Sequence, residues 1–126
     1  MTASAIPVRL TEAMLVDLVT FRSNGTPVHT PVLSTPRGAT LLVRTHHTAG
    51  KLKRIRQRPV VEVAPCDGRG RLIGPARPGT ARILPASETD ECLDLLHARH
   101  GLIGRLAAVL RHVRGMRDVI IEVSAN

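Results

Sequence analysis

The run Thr45-His46-His47-Thr48-Ala49-Gly50-Lys51-Leu52-Lys53-Arg54 gathers the side chains of this chain best suited to holding an anion. Thr45 and Thr48 can donate hydroxyl hydrogens, while Lys51, Lys53 and Arg54 can neutralise charge. Gly50 lets a backbone come close. The run leads from a strand pattern into a helical one, and a helix start offers free N–H groups and the positive end of the dipole, which suits a phosphate. The same residues also fit a solvated basic helix face, and spacing alone leaves both readings open. The GxxxxGK[ST] spacing is absent, so this is not a P-loop.

Other reactive residues form weaker patterns. His46 and His47 are adjacent on an extended segment and point in opposite directions, which makes them a poor chelating pair. His97 and His100 share a helix face with Cys92 at some distance, and no third ligand is placed, so helix-end histidines are the simpler reading. Cys66 opens the run Cys66-Asp67-Gly68-Arg69-Gly70, either as a nucleophile that would need a base or as a small residue where the chain enters a loop. No GxSxG elbow and no spaced carboxylate pair occurs. Acid–base and nucleophilic enzymes are therefore not indicated. A cofactor enzyme stays open, because there the cofactor brings the chemistry.

The elements that must position these residues are mainly strands. Met14 to Arg22 is apolar and β-branched, and Ser23-Asn24-Gly25-Thr26 supplies a hairpin turn. Val28 to Ser34 returns, with Pro27 and Pro31 confining it to edge or bulged pairing. Pro36-Arg37-Gly38 turns the chain into a third strand, Ala39 to Thr45. Within His46 to Arg58, Leu52 and Ile55 give a short helix one apolar edge, and Pro59 ends it. Val60 to Ala64 is a strand, Pro65 to Gly79 a loop rich in Gly and Pro, and Thr80 to Leu84 a strand. A helix opened by Ser87-Glu88-Thr89-Asp90 runs to Gly101. A second, from Leu102 to Val113, stops at Gly115, and Asp118 to Ser124 closes the chain as a strand.

At 126 residues the chain is expected to be one domain, 1–126. All but two of its 18 basic residues are arginine, and the formal charge is +8, which points to an anionic partner. Phe21 is the single aromatic residue, which disfavours stacked single-stranded nucleic acid. No DNA- or RNA-reading motif occurs, so nucleic acid is an unlikely partner. No apolar run is long enough for a bilayer, no secretory pattern opens the chain, and Cys66 and Cys92 make no CxxC. A cytoplasmic setting and no membrane partner are expected. Charge is uneven: Lys51 to Arg82 holds nine basic residues against Glu62 and Asp67, while Ile83 to Ala98 holds four acids and no Lys or Arg.

Three segments taken together carry a resemblance. They are Thr20-Phe21-Arg22-Ser23-Asn24-Gly25-Thr26-Pro27-Val28 with Thr30-Pro31-Val32, then Gly50-Lys51-Leu52-Lys53-Arg54-Ile55-Arg56, then Pro59-Val60-Val61-Glu62-Val63-Ala64-Pro65-Cys66-Asp67-Gly68-Arg69-Gly70. The chain resembles the deazaflavin (coenzyme F420)-dependent branch of the pyridoxamine phosphate oxidase-like superfamily over about residues 15 to 123. The resemblance implies a mainly β fold, the FMN-binding-like split β-barrel with flanking helices, working as a homodimer with the cofactor in a groove between subunits. It implies that Thr45, Lys51 and Arg54 hold the cofactor phosphate, with Gly50 permitting the approach and Lys53 beside them. It implies that Thr30, Pro31 and Val32 line the ring, and that the loop of Cys66 and Asp67 lies near the cofactor or the other subunit. Leu33, Ala49 and His100 stand where that pattern commonly has an aromatic residue, a serine and a tyrosine.

The implied activity is hydride transfer from reduced coenzyme F420 to a small conjugated organic acceptor, with no catalytic side chain named. The phosphodiester, lactyl carboxylate and oligoglutamate tail of that coenzyme would suit the basic stretch from Lys51 to Arg82. FMN, with one phosphate, would leave much of that charge unused. An FMN-dependent oxidase or reductase of the same fold, or a deazaflavin- or nucleic-acid-binding module without turnover, are the alternatives.

Overall fold

Alternation along Leu15–Phe21 (β1) turns Val16 and Leu18 into an apolar interior, and the same two-residue period repeats around the molecule. The computed structural model describes Leu10 and residues 12–126. After β1 come Pro27–Arg37 (β2), Thr40–His46 (β3), the helix Gly50–Gln57 (α1), Val60–Cys66 (β4) and Arg77–Ile83 (β5). A 3-10 turn at Ala86–Glu88 leads into the helix Thr89–Val113 (α2), and Asp118–Ala125 (β6) follows. The strands close an antiparallel barrel in the order β1-β2-β3-β6-β5-β4.

The barrel interior holds Val16, Leu18, Leu41, Val43, Val61, Val63, Ile121 and Val123. Helix α1 belongs to this core because Leu52 and Ile55 face it, and each such burial contributes about 1.5–3 kcal/mol. A second cluster lies outside the barrel wall, where Leu42 and Ile120 meet Leu84, Cys92 and Leu96 under α2. That helix breaks at Gly101, whose φ of 57° is a left-handed value open to glycine. The two-helix reading of this segment therefore holds. Among the described residues no helix is long and apolar enough to cross a membrane.

Two strand pairings decide where a ligand can sit. Residues Pro27 to Leu33 of β2 pair with β1 alone, whereas Ser34 to Arg37 pair with β3. Strand β3 in turn carries on through Arg44, Thr45 and His46 against β6 only. Thus β2 and β3 part beyond the Ser34–Val43 pair and open a cleft. Pro31, which has no N–H to donate, falls in the half of β2 that pairs on one side only, as its chemistry requires.

The segment Pro65 to Gly79 differs from its reading as a loop. Strand β4 runs on through Pro65 and Cys66, and β5 begins at Arg77 and includes Pro78 and Gly79. Glycine and proline read as loop signals from sequence. Here Gly79 is needed because β6 comes so close that a Cβ would stand 2.8 Å from the Ser124 carbonyl oxygen.

Candidate functional site

The cleft between β2 and β3 is a cavity of about 220 Å³, lined by Thr30, Pro31, Val32 and Leu33 from one side and Arg44, Thr45 and His46 from the other. Lys51, in the first turn of α1, forms its floor. Lys51 Nζ donates to Thr45 Oγ1 at 3.3 Å. Burial, then the nearby Arg54, lowers the Lys51 pKa from its ordinary value. The ammonium is thus poorly hydrated and faces a like charge, and an anion would relieve both costs.

A second cavity, about 310 Å³, lies on the other side of the same helix start, against the β1–β2 turn. Arg22, Ser23, Asn24, Gly50, Lys53, Arg54 and Gln57 line it, three cations and no carboxylate. Arg54 Nε donates to the buried Thr20 hydroxyl at 2.7 Å, which aims the guanidinium along the helix start. Gly50 leaves room for that group, since a Cβ there would lie 3.0 Å from Arg54 Nη1. Burial, then Arg22, lowers the Arg54 pKa. Further out, Arg58 stands over the Phe21 ring at 5.7 Å and, with Lys53, lines a third hollow. Lys51 stands at the floor of a cleft that opens where two barrel strands separate, and Lys53 and Arg54 of α1 stand at the cavities beside it. This is a split β-barrel.

Solved structures share it. An F420 reductase matches at TM-score 0.65 and 19% identity, over 96% of each chain. The haem storage protein HutZ of Vibrio cholerae matches at TM-score 0.68 and 14% identity, over 94% of this chain and 84% of that one. A FAD-binding protein of Mesorhizobium loti matches at 0.62 and 15%, over 93% and 82%. No protein-family model and no curated protein matches the chain. The likeness is one of fold, and the split-barrel neighbours handle different prosthetic groups.

Of the residues singled out from sequence, the split barrel brings Thr30, Pro31, Val32, Thr45 and Lys51 around one cavity and Gly50, Lys53 and Arg54 around the other. Cys66 and Asp67 line neither. Cys66 is buried at the end of β4, and burial, followed by Asp17 and Asp67, raises its thiol pKa, the opposite of what a nucleophile needs. Asp67 organises its own turn. It accepts from the backbone N–H groups of Arg71 and Arg69 and from Arg71 Nε, each at 2.9 Å, and these bonds hold its carboxyl below the usual range. The loop touches β2 through Gly70 instead, whose missing Cβ would lie 3.0 Å from Pro31 Cγ.

The basic stretch from Lys51 to Arg82 does not form one groove. Arg71 pairs with Asp67, and Arg82 pairs with Glu122 at 3.0 Å on the β5–β6 wall. Arg22 and Arg44, which lie outside that stretch, stand at the two cavities instead. Arg44 had a legible signal, an arginine inside the apolar strand Thr40–His46. Arg22 became a lining residue only once the β1–β2 turn folded beside α1. The histidines also separate: His46 Nδ1 lies 2.7 Å from Thr48 Oγ1, His47 accepts from Arg117 N–H, His97 stands 3.5 Å from Arg44 Nη1, and His100 bonds the Ser34 carbonyl.

Proposed function

We propose that the chain binds reduced coenzyme F420 at the split and passes hydride to a small conjugated organic acceptor. One observation carries this reading: the Lys51–Thr45 cavity adjoins a second cavity whose charged lining residues, Arg22, Lys53 and Arg54, are all cations. A ligand with a phosphate at the first and further anionic groups at the second answers both, whereas FMN, with one phosphate, answers only the first. The F420 reductase among the structural neighbours and the resemblance over three segments point the same way.

When bound, the deazaflavin supplies the hydride. The chain's own residues hold and shield. Lys51 and Thr45 would take the phosphate, with Arg54 reaching it from the second cavity beside Gly50. Lys53 and Arg22 would take the anionic tail, and the β2 edge at Thr30, Pro31 and Val32 the ring. At about 220 Å³ the cleft falls short of the roughly 300–1,000 Å³ of a pocket that encloses a drug-sized ligand. The remaining wall would come from a second copy of the chain. The exposed stripe Leu106, Val109, Leu110 and Val113 on α2 supports a homodimer, since apolar helix faces of this kind mark contact surfaces.

The test is an absorbance spectrum of the protein after incubation with either cofactor and desalting. Retention of the deazaflavin chromophore supports the reading. Retention of FMN alone, with a yellow protein, overturns it in favour of a flavin enzyme.

A further inference from the structure

Successive residues of a strand point to opposite faces, yet Arg44 and Thr45 line the same cavity. Val43 belongs to the barrel interior and Leu42 to the cluster under α2, so alternation puts Thr45 on the inner side of β3 and Arg44 on the side toward α2. His97 of α2, 3.5 Å from Arg44 Nη1, agrees with that placement. On the facing strand Val32 is an interior residue and Leu33 is its outward neighbour. The cavity therefore passes through the barrel wall at the split. Thr45 and Lys51 mark its inner end, Leu33 and Arg44 its outer end.

Arg44 is nearly buried, at 7% exposure, and among the described residues no carboxylate lines the cavity it borders. The charged groups around it are mixed. His97 adjoins it, Arg99 and Arg44 both disfavour a charge on His100, and Asp118 stands two positions along β6 from Ile120, the residue that pairs with Arg44. A guanidinium carries five N–H donors, enough for neighbours on one edge and a ligand on the other. Its planar fork matches a carboxylate in two parallel bonds. The phosphate and tail of the coenzyme answer Lys51, Arg54, Lys53 and Arg22, at the inner end and in the second cavity. Arg44 is the cation at the cleft to which that reading gives no role.

We propose that Arg44 holds a carboxylate of the acceptor, so that the acceptor is a conjugated organic acid and not a neutral compound. This deepens the function proposed above and rests on it. Lys51 keeps the phosphate at the inner end, and a carboxylate on Arg44 at the outer end turns the conjugated part of the acceptor toward the β2 edge between them. The two cations thus sort two anions by side of the wall. A neutral acceptor of the same shape makes only singly charged or neutral hydrogen bonds there, which are weaker than a bidentate pair of opposite charges. Arg44 is in this sense a specificity-determining residue.

The probes are cinnamate and its neutral isostere cinnamamide. Binding is read by saturation-transfer NMR titration on the whole chain, free and loaded with coenzyme F420. The loaded wild type should bind cinnamate about 10- to 100-fold more tightly than cinnamamide. Arg44→Gln should retain the coenzyme and bind the two probes alike. Arg44→Lys, which keeps the charge and loses the fork, should fall between. Equal affinities in the wild type, no cinnamate binding, or a wild-type preference in Arg44→Gln overturns the proposal. Where Arg44→Gln fails to fold, as read by its melting curve, Arg44→Lys decides, and an undiminished preference there overturns the proposal. Lys51 is the competing site, so Lys51→Met is titrated in the free protein and should keep the preference for cinnamate. Loss of the preference in Lys51→Met with retention in Arg44→Gln assigns the carboxylate to Lys51 and overturns the proposal. Failure of the coenzyme to bind overturns the function, and the same two variants in the free protein then decide separately whether Arg44 holds a carboxylate.

Discussion

Lys51 and Thr45 join the start of a helix to the end of a strand, Nζ donating to Oγ1 at 3.3 Å across the floor of the cleft. A threonine hydroxyl does not neutralise an ammonium. Burial and Arg54 both disfavour the Lys51 charge, so the pair is arranged better for a ligand than for the fold.

Lys51→Met should separate those two roles. If Lys51 makes a charge-assisted bond to the cofactor, its loss weakens coenzyme F420 binding by about 1.5–3 kcal/mol. Thr45→Val, which removes a neutral donor, should cost about 0.5–1.5 kcal/mol. Neither cost should appear as a comparable fall in the stability of the free protein. Titration calorimetry with the coenzyme, set beside urea unfolding without it, reads both. Unchanged affinity in Lys51→Met would remove this residue from the site.

The second cavity predicts a dependence on tail charge. Exposed ion pairs contribute about 0.2–1 kcal/mol each and weaken with salt. The double variant Arg22→Ala/Lys53→Ala should therefore lose about 0.4–2 kcal/mol toward coenzyme F420. It should lose nothing toward the deazaflavin chromophore stripped of its phosphate and tail. Raising salt should close the gap between wild type and variant. Equal losses for the two ligands would mean that these cations do not meet the tail.

The strands and both helices were legible because they follow local rules: two-residue alternation, Asn-Gly at a hairpin, apolar positions three apart at Leu52 and Ile55. The break at Gly101 was legible for the same reason. Pro65, Cys66, Pro78 and Gly79 were not, since their strand character comes from neighbours distant in sequence. The candidate site divides in the same way. Thr45, Gly50, Lys51, Lys53 and Arg54 lie within ten residues and could be seen as a group. Arg22 gains its position from the β1–β2 hairpin folding beside α1, and the stretch of positive charge up to Arg82 is divided by pairing with Asp67 and Glu122.

His100 predicts an acid sensitivity. Its Nε2 lies 2.7 Å from the Ser34 carbonyl oxygen, so Nε2–H donates and Nδ1 carries the lone pair. Nδ1 is buried with no hydrogen-bond partner among the described residues. Burial lowers the His100 pKa, the Ser34 bond opposes this, and Arg99 and Arg44 lower it further. The unfolded chain therefore binds the proton more tightly than the folded one. The neutral ring's contribution to stability is complete above the ordinary histidine value of about 6.5. It is lost progressively as pH falls from there through the depressed folded value. Melting temperature should drop between pH 7.5 and pH 5 in the wild type and drop less in His100→Gln. Equal drops in the two proteins would assign the acid sensitivity elsewhere.

Gly79→Ala tests the closure of the barrel. Gly79 pairs with Val61 on one side and Ala125 on the other, and β5 reaches β6 here only because the residue has no side chain. An added Cβ would stand 2.8 Å from both the Ser124 carbonyl oxygen and Val123 Cγ1. The oxygen is backbone held in the β3–β6 and β5–β6 pairings, so it cannot swing aside as a flexible side chain would. Overpacking of this kind costs about 1–3 kcal/mol. Gly68→Ala, in a turn where a Cβ would meet nothing within 4 Å, is the matched control and should cost far less. Because β5 contributes no residue to either cavity, the protein that remains folded should bind coenzyme with wild-type affinity. Urea midpoints for the two variants, with coenzyme affinity measured below the transition, decide between a local closure defect and a disturbed site.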